Sequence, residues 1–520
     1  MPDDILLAID NGTQSVRALL FDLRGNLVGK SQVKLDNYQC AQPGWMEHSP
    51  EEFWTALCTA CRALWATTAI QPHQVRALVV TTQRGTVINL DKRGNVLRPA
   101  IIWADQRMAQ ARKKYGLLWE SAFLLAGLRD TVTAFERQAE AVWIAQNQPE
   151  LWAQTDKFLL LSGYLHYRLT GEMVDAVGNQ VGYVPFDHKK GTWAVAGDWK
   201  WQCLSMTPSM MPALVPNGTV IGRISAAAAA DTGLPLGLTV VAGASDKACE
   251  VLGAGSLTPD IACLSYGTTA TINTNTPRYV EAVPFIPPYP SAMPGYYNTE
   301  IQITRGYWMV SWFAAQFGLN EQIRAEKEGV APEHFFDELL HSVPAGSQGL
   351  VLQPYWNPGV RIPGPEARGG IIGFSEVHTR AHLYRAIIEG LAYALREAGE
   401  RIAKRSKTPL RLVRVAGGGS QSNAAMQITA DIFNLPTERP ALYEASGLGA
   451  AILASVGLGL HPDFATAIRE MTRVGQRFEP ITANAELYEQ MYGRVYQRMY
   501  GRLQPLYRAL RDIAGGPSTD

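Results

Sequence analysis

Apolar runs separated by short polar turns predict that the chain begins with three consecutive strands. They are expected at Ile5–Asp10, Val16–Asp22 and Leu27–Leu35, the last with alternating apolar and polar positions. About half a chain later the same order returns, with strands at Ile261–Ser265 and Ala270–Asn275. The repetition predicts two halves that start in the same way.

Between these two starts, the spacing of apolar positions indicates helices. One helix is expected after Ser49, because Pro50 suits a first helical position and Glu52 completes the pattern of a capping box. Another is expected at Lys157–Leu169, with Gly171 just beyond its end, where a left-handed residue commonly closes a helix. Strands and helices together predict an α/β protein.

The second half contains further patterns. The proline-rich segment 284–294 is expected to leave the core, and Ala381–Lys404 is expected to form a long helix. A strand at Arg411–Val415 leads into Gly417–Ser420. The last apolar stripe, at 487–510, is interleaved with tyrosines and predicts an amphipathic helix that locks the two halves together.

Composition narrows the class of protein. The chain has 520 residues, 47% apolar and 18% charged, which is ordinary for globular proteins and long enough for two or three domains. Lys plus Arg equals Asp plus Glu at 47 each, so nothing favours nucleic acid or an anionic membrane as a partner. Asp3 and Asp4 precede the first strand, and no apolar stretch reaches the ~18 residues of a membrane span. We therefore expect a cytoplasmic protein.

Two motifs that could carry chemistry are better explained by packing and turns. Cys58 and Cys61 form a CxxC, but they lie in an amphipathic helical pattern without the other ligands that structural zinc needs. The segment Gly25–Ser31 looks like a phosphate-binding loop, yet it is one residue too short, and its first two residues suit a hairpin turn. We expect neither a metal site nor a nucleotide loop at these places.

The turn between the first two strands is the strongest candidate for chemistry. Asp10–Ser15 consists of small or polar residues, so its consecutive backbone N–H groups could cradle phosphate oxygens. Asp10 at its mouth could hold Mg²⁺ through water, because this cation prefers oxygen ligands and keeps much of its hydration. A plain hairpin with a polar tip is the alternative. The second strand–turn–strand unit, with Gly267 and Thr268 in its turn, favours the phosphate interpretation.

Several segments in a fixed order resemble those of one protein family. Gly369–Glu389 is similar to the C-terminal signature of the FGGY carbohydrate kinases, with Phe374 where an aliphatic residue is usual. Leu97–Trp103, and the adenosine stretch Ala416–Ser420 with Ser446–Ala450, are similar to recurrent family segments. These kinases belong to the actin, hexokinase and sugar-kinase superfamily. The resemblance, which covers nearly the whole chain, implies an α/β fold of two duplicated ribonuclease-H-like (actin-like ATPase) domains flanking a central cleft.

The resemblance also implies how the two domains divide the work. Residues 1–254 would form the N-terminal FGGY-type domain, with the sugar site and the catalytic base. Residues 255–520 would form the C-terminal domain, which binds the nucleotide and carries the amphipathic helix. Family members are often dimers, so the resemblance allows a homodimer, although no sequence feature marks a dimer surface.

Catalytic and nucleotide-binding residues follow from positions that match the family motifs. Asp246, at the end of the last strand of the first half, would be the general base that accepts the proton of the attacking sugar hydroxyl. Asp10 and Asp246 would hold Mg²⁺ by way of water. The residues implied to bind ATP are Gly12, Thr13, Gln14, Arg17, Gly267, Thr268, Gly417, Gly418 and Asn423. ATP and Mg²⁺ are thus the implied cofactors.

The sugar would lie between two strand ends and the base. The residues implied there are Gln83, Arg84, Trp103, Asp105 and Lys247. Leu97–Asp105 resembles xylulokinases, whereas Gly85 replaces the glutamate of glycerol kinases and leaves room for a larger substrate. Lys247 replaces a common glutamine, and it would favour the charged form of Asp246 or reach an anionic or carbonyl-bearing substrate. We favour phosphorylation of a five-carbon ketose such as xylulose, with glycerol, ribulose or erythritol as alternatives.

Two functions from other classes stay open at this point. One is a chaperone or cytoskeletal protein with the actin-like ATPase fold, which would lack the Leu97–Trp103 segment and the FGGY-like signature. The other is a sugar-binding regulator without activity, against which the presence of Asp10 and Asp246 argues.

Overall fold

Two large β-sheets organise the fold. The computed structural model of this chain describes residues 4–36, 38–112, 115–329, 333–357, 359 and 363–514. Within these residues the strands are, in chain order, β1 Ile5–Asn11, β2 Ser15–Asp22, β3 Leu27–Lys34, β4 Glu47–His48, β5 Val75–Thr82, β6 Val87–Leu90, β7 Ala100–Ile101, β8 Lys157–Leu160, β9 Val174–Ala176, β10 Phe186–Asp187, β11 Thr192–Trp193, β12 Ala213–Val215, β13 Val220–Arg223, β14 Thr239–Val241, β15 Ile261–Tyr266, β16 Ala270–Thr276, β17 Tyr289–Pro290, β18 Tyr297–Ile303, β19 Val351–Gln353, β20 Gly370–Ile372, β21 Leu412–Ala416, β22 Thr437–Pro440 and β23 Val474–Phe478. The α-helices are α1 Pro50–Trp65, α2 Leu117–Ala126, α3 Arg129–Gln138, α4 Glu140–Asn147, α5 Pro149–Gln154, α6 Leu161–Thr170, α7 Trp199–Cys203, α8 Ala226–Thr232, α9 Asp246–Gly253, α10 Trp308–Phe317, α11 Leu319–Glu328, α12 Glu333–His341, α13 Arg380–Ser406, α14 Asn423–Phe433, α15 Ala445–Gly457, α16 Phe464–Met471, α17 Thr482–Met491 and α18 Gln497–Ala514.

The two sheets share one strand arrangement. In the first, β1, β2 and β3 pair antiparallel, β5 and β14 continue parallel to β1, and β13 closes the edge antiparallel. In the second, β15, β16 and β18 pair antiparallel, β21 and β22 continue parallel to β15, and β23 closes the edge antiparallel. The predicted α/β fold with a duplicated domain is therefore confirmed.

This topology collects loops at one edge of each sheet. The carboxyl ends of β1, β5 and β14 lie together because these strands are parallel, and the same holds for β15 and β21. In open α/β sheets, ligands bind outside the carboxyl ends of the strands. The residues that follow these five strands are therefore the ones that can form a site.

One helix of the second half joins the two domains. Helix α15 packs against α9, β1 and β5 of the first half. The buried side chains at this contact include Leu6, Ala8, Val79, Leu448 and Ile452. Helices α9 and α15 approach closely because a glycine of each faces the other's backbone: a Cβ at Gly449 would overlap the carbonyl oxygen of Cys249, and a Cβ at Gly253 would overlap that of Ala445.

Two predictions about first-half helices are wrong in detail. Lys157–Leu169 is not one helix, because Lys157–Leu160 pairs with β6 as a strand and the helix begins only at Leu161. A continuous apolar run does not separate a buried strand from a buried helix, which explains the error. The capping box before α1 does not form: Ser49 makes no side-chain cap, and the Glu52 carboxylate accepts from the backbone N–H of Asp36 at 3.1 Å.

Two predictions about second-half segments are also wrong. The C-terminal tyrosines do not lock the halves together, since Tyr488, Tyr492 and Tyr496 are buried in the core of the second domain. The prediction that the proline-rich segment leaves the core is wrong for its second part: residues 284–286 are exposed, whereas Tyr289–Pro290 pairs with β18 and Ala292 and Met293 pack in the contact between the domains. Proline is tolerated in an edge strand, and Pro290 lies in β17 at the edge of the second sheet.

The two rejected motifs have the structures that were expected. Cys58 and Cys61 face the core from α1, and burial raises the pKa of both thiols. Gly25 has a φ of 73° in the turn between β2 and β3, a left-handed conformation that suits a hairpin glycine. Among the described helices, none has both the length and the apolar character needed to cross a membrane.

Candidate active site

Side chains that follow the parallel strands of the first sheet form one electrostatic cluster. Asp10 lies near the end of β1, Gln83 and Arg84 follow β5, and Asp246 opens α9 shortly after β14. Burial raises the pKa of Asp10 to about 6; the guanidinium of Arg17 opposes this rise, and the charge of Asp246 adds to it. The charge of the predicted base Asp246 therefore acts on Asp10, the residue predicted to hold the metal.

Asp246 has a raised pKa for a similar reason. Burial raises the pKa of its carboxyl group, while the nearby cations Lys247 and Arg84 lower it. The backbone N–H of Lys247 donates to Asp246 Oδ1 at 2.7 Å, which orients the carboxylate. A carboxylate with a raised pKa is a better proton acceptor than one with the usual pKa.

Arg17, which follows the turn at residues 10–15, connects the first domain to the second. Its Nη1 lies 3.4 Å from Asp10 Oδ2 and donates to Glu444 Oε2 at 2.5 Å. The other oxygen of Glu444 accepts from Lys30 Nζ at 2.6 Å. Glu444 directly precedes α15, so the helix that packs between the domains also positions this arginine. Arg17 Nε is buried and has no hydrogen-bond partner among the described residues, which leaves a donor for an anion.

Thr13, in the turn at residues 10–15, contacts two of the residues predicted to bind the sugar. Its hydroxyl donates to Gln83 Oε1 at 3.1 Å and accepts from the indole N–H of Trp103 at 3.0 Å. Gln83 Nε2 is buried without a partner in the part of the chain that the structure describes, so it can donate to a bound hydroxyl. Gly12 and Gln14 lie in the same turn, and the side chain of Gln14 is exposed.

The two cations predicted near the sugar are each paired with a carboxylate. Arg84 donates from both terminal nitrogens to Glu300, at 3.0 and 2.9 Å. Lys247 Nζ lies 3.3 Å from Glu250 and also donates to the hydroxyl of Ser265. Because Glu300 and Ser265 belong to the second half, both cations bridge the two domains.

Asp105 lies in a different environment from the other predicted sugar residues. Its carboxylate accepts two hydrogen bonds from the Arg107 guanidinium, each 2.7 Å long, and one each from the backbone N–H groups of Arg107 at 2.8 Å and Met46 at 2.6 Å. These bonds brace the loop that follows β7. Gly85 has a φ of 65°, and a Cβ built there would lie 3.5 Å from the Cβ of Trp103. Its conformation favours glycine, and a longer side chain would lie beside the tryptophan.

The second-domain residues predicted to bind ATP follow β15 and β21. Gly267 and Thr268 form the turn after β15, with the Thr268 side chain exposed. Gly417 has a φ of 84°, and a Cβ there would press on neighbouring backbone at 2.9 Å, so the position requires glycine. Gly418 and Asn423 are exposed beside it. The chain then turns through Gly418–Gln421 as a short 3-10 helix, which leaves the backbone of Gly418 exposed beside β21.

An aromatic pair behind this glycine run was not predicted from the sequence. Tyr307 stacks on Tyr266 with ring centroids 4.7 Å apart, and a Cβ at Gly419 would overlap the Tyr307 ring. The Tyr307 hydroxyl is buried and has no partner within the described residues. The pair packs against the inner side of the glycine run Gly417–Gly419.

The acidic partners of the site cations were also missed. The pairs Arg17–Glu444 and Arg84–Glu300 join residues 427 and 216 positions apart in the chain. No local sequence pattern marks such a pair, since each partner reads as one more charged residue. Lys247 and Glu250, three residues apart on α9, could have been found from helical spacing.

Comparison with known proteins places this geometry in a family. Sequence models of the N-terminal and C-terminal domains of the FGGY family of carbohydrate kinases match residues 5–253 and 262–458. The chain belongs to this family. It is 31% identical over 502 residues to an uncharacterised sugar kinase of Escherichia coli, YgcE, covering 94% of this chain and 92% of that protein.

Two further relatives carry names that specify a substrate. Glycerol kinase of Thermococcus kodakarensis is 29% identical over 492 residues, covering 92% of this chain and 93% of that protein. The crystal structure of xylulose kinase from Rhodospirillum rubrum has a TM-score of 0.80 at 27% identity, covering 97% of this chain and 100% of that chain. The FGGY kinase is an ATP-dependent sugar or polyol kinase, which confirms the predicted family and enzyme class. The domain limits and the roles of individual site residues stay predictions.

The donors and acceptors of the site fit a triphosphate and a hydrated cation. Arg17 Nε and Gln83 Nε2 are buried donors without a partner in the described residues, as a site for phosphate oxygens and hydroxyls requires. Asp10 is a buried carboxylate whose pKa is raised to about 6, so a cation beside it would relieve an unfavourable charge. Within the described residues, no three or more His, Cys, Asp or Glu side chains are arranged to hold a metal. A cation at Asp10 would take its other ligands from phosphate and water.

Proposed function

We propose that this FGGY kinase transfers the terminal phosphoryl group of ATP to a hydroxyl of a five-carbon ketose such as xylulose, with Asp246 as the general base. The observation that carries the proposal is the position of partly buried Asp246 beside buried Asp10, where the turn at residues 10–15 and the sugar-side residues meet. Both carboxylates follow strands whose carboxyl ends share one sheet edge. A base and a cation-binding carboxylate at one point are what phosphoryl transfer to an alcohol requires.

In the proposed step, Asp246 accepts the proton as the sugar oxygen bonds to phosphorus. The N–H of Lys247 holds Oδ1, and Oδ2 takes the proton. Negative charge spreads over the transferred phosphoryl oxygens, and Arg17 together with the backbone N–H of Thr13 neutralises it, whereas the N–H of Gly12 donates to Ser15 O at 3.0 Å and shapes the turn. Arg17 is already held in place by Asp10 and Glu444, so little reorganisation is needed.

The nucleotide would lie across the second domain. Gly417, Gly418 and Asn423 would support the adenosine, and Gly267 and Thr268 would hold the rest of the triphosphate. Mg²⁺ held through water at Asp10 and Asp246 would supply charge neutralisation for the phosphates. Removal of divalent cations with a chelator is therefore expected to abolish turnover, and added Mg²⁺ to restore it.

Two observations support a ketose larger than glycerol. Gly85 lacks a side chain beside Trp103, which leaves space along the ring. The Gln83 amide offers a buried donor to an additional hydroxyl or carbonyl. The similarity to a xylulose kinase over the whole chain agrees with this choice, although a glycerol kinase is similar too.

A coupled ADP-release assay over xylulose, ribulose, erythritol, glycerol and aldoses tests the proposal. We expect xylulose to give the highest kcat/KM of the panel. A higher kcat/KM for glycerol or erythritol would show that the preferred substrate is a polyol and not a ketose. Absence of sugar-stimulated ADP release with every member, at saturating ATP and Mg²⁺, would refute the proposed function itself.

The pH dependence of the reaction should have an acid limb that Mg²⁺ shifts. Burial raises the pKa of Asp10 to about 6, so in the free enzyme this carboxylate gains a proton as the pH falls through that value. A cation competes with this proton, and kcat/KM should therefore fall at lower pH when Mg²⁺ is saturating than when it is scarce. Profiles from about pH 5 to about pH 8 at two Mg²⁺ concentrations measure the shift. An acid limb independent of Mg²⁺ would contradict the role of Asp10.

The homodimer allowed by the family resemblance stays a prediction. Size-exclusion chromatography with light scattering measures it directly. A mass of 57.0 kDa corresponds to a monomer, and twice that mass to the expected dimer.

A further inference from the structure

Arg84 is held by two side chains of the second domain. Its two terminal nitrogens donate to the two oxygens of Glu300, at 3.0 and 2.9 Å, and its guanidinium lies over the ring of Tyr289, 5.1 Å from the centroid. The Glu300 side chain has no exposed surface, and one of its oxygens also accepts from Gln302 at 2.5 Å. A bidentate guanidinium–carboxylate pair of this kind is the geometry in which arginine recognises carboxylates. The position at which a substrate carboxylate could bind Arg84 is therefore already occupied by the protein.

The positive charge of Lys247 is also paired with a carboxylate. Its Nζ lies 3.3 and 3.4 Å from the oxygens of Glu250, one turn further along α9, and it also donates to Ser265. The cations Arg84 and Lys247 thus stand beside three carboxylates, those of Asp246, Glu250 and Glu300. A neutral sugar meets an environment rich in acceptors and donors. A sugar acid brings a further negative charge to a place where the carboxylates already outnumber these two cations.

From this arrangement we infer that Glu300 is a specificity-determining residue that makes the sugar site select neutral sugars and polyols against sugar acids. The inference rests on the proposed function, since it assumes that the acceptor lies beside Arg84 and Asp246. Glu300 acts by occupying both terminal nitrogens of Arg84 and by repelling an incoming carboxylate. The second domain, which binds the nucleotide, thereby also takes part in the choice of acceptor.

Glu300→Gln tests the inference because it keeps the shape of the side chain and removes its charge. Two neutral and acidic pairs of equal carbon number serve as probes, D-xylulose with D-xylonate and glycerol with glycerate. The measurements are Kd by isothermal titration calorimetry and kcat/KM by ADP release. Relative to the wild type, we expect the preference for the neutral member of the pair to fall at least about tenfold, which corresponds to the gain of one charge-assisted contact. In the double variant Arg84→Gln/Glu300→Gln this fall should disappear, because the uncovered guanidinium is gone.

The matched control is Glu321→Gln. Glu321 accepts two hydrogen bonds from Arg380, at 2.8 and 2.7 Å, and its side chain is 5% exposed, so it forms the same kind of pair elsewhere in the second half. Its replacement should leave the neutral-to-acid preference within about twofold of the wild type. A similar fall in Glu300→Gln and Glu321→Gln would mean that loss of any buried carboxylate loosens the site, and it would overturn the inference.

Measurements without Glu300→Gln keep the inference testable if that variant does not fold. A wild-type enzyme that binds the acid of a pair as tightly as the neutral member would overturn it. Arg84→Gln should leave the preference for the neutral member equal to or above that of the wild type, because it uncovers the negative charge of Glu300; a preference that falls about tenfold or more would overturn the inference too. A wild-type enzyme that phosphorylates no neutral substrate refutes the proposed function. One that phosphorylates a neutral substrate while Glu300→Gln keeps the wild-type preference refutes only the selectivity of Glu300.

Discussion

Replacement of Asp246 by asparagine is expected to lower kcat by about 10²- to 10⁴-fold, the range that general-base catalysis contributes. The amide cannot accept the proton of the attacking hydroxyl, whereas it keeps the shape of the carboxylate. Its side-chain oxygen can still accept from the backbone N–H of Lys247, which donates to Oδ1 at 2.7 Å. ATP binding should change little, because Asp246 is not among the residues predicted to contact the nucleotide. Steady-state kinetics and calorimetric titration with ATP measure the two properties separately.

Two comparisons make the Asp246→Asn result specific. Asp91→Asn removes a carboxylate from the turn after β6, where it accepts from the backbone N–H groups of Arg93 and Asn95, and should leave kcat unchanged. Calorimetric titration with the sugar should give a similar Kd for wild-type enzyme and Asp246→Asn. An Asp246→Asn enzyme with near-wild-type kcat would contradict the base assignment. A loss that appears only in KM would assign Asp246 to sugar binding instead.

Replacement of Gly449 by alanine is expected to be the most destabilising single change in the contact between the domains. The new Cβ would overlap the carbonyl oxygen of Cys249, an atom of the α9 backbone that cannot rotate away. Overpacking of this kind costs about 3 kcal/mol or more, against a gain of about 1 kcal/mol from the helix propensity of alanine. A net loss of about 2 kcal/mol should lower the Tm by about 4–8 °C for a domain of this size. Because α9 begins at Asp246, kcat should fall as well.

Gly501→Ala is the matched control for this prediction. Gly501 lies in α18, is exposed and has no atom near the position of a new Cβ, so alanine should be neutral or stabilise by up to about 1 kcal/mol. Differential scanning fluorimetry with and without ATP compares the two variants. Equal Tm values for Gly449→Ala and wild-type enzyme would contradict the close helix contact.

Much of the fold could be predicted because its signals are contiguous. The three opening strands, their return at Ile261 and the polar turns between them are visible as apolar runs and turn residues in short windows. The failures arise where a segment distant in the sequence decides the structure. The run from Lys157 forms a strand and then a helix because its first four residues found a partner in β6, and no pattern within the run reveals that partner.

The candidate site was likewise predictable only in part. Asp10 was identified from the turn that it opens, and Gln83 and Asp246 from the family resemblance; the parallel strands that precede them bring all three to one sheet edge. Their partners could not be predicted. Arg84 was expected to contact the sugar, yet its terminal nitrogens meet Glu300, 216 residues away in the chain.

The sequence by itself determined the family, the two-fold repetition of the strand order and the acidic residues at the strand ends, since these depend on residue types at short spacing. Tertiary structure alone decided which charges meet, how far burial raises the pKa of Asp10, and that α15 rather than the C-terminal helix joins the domains. Those properties depend on distances and on removal from water, which arise only when segments hundreds of residues apart pack together.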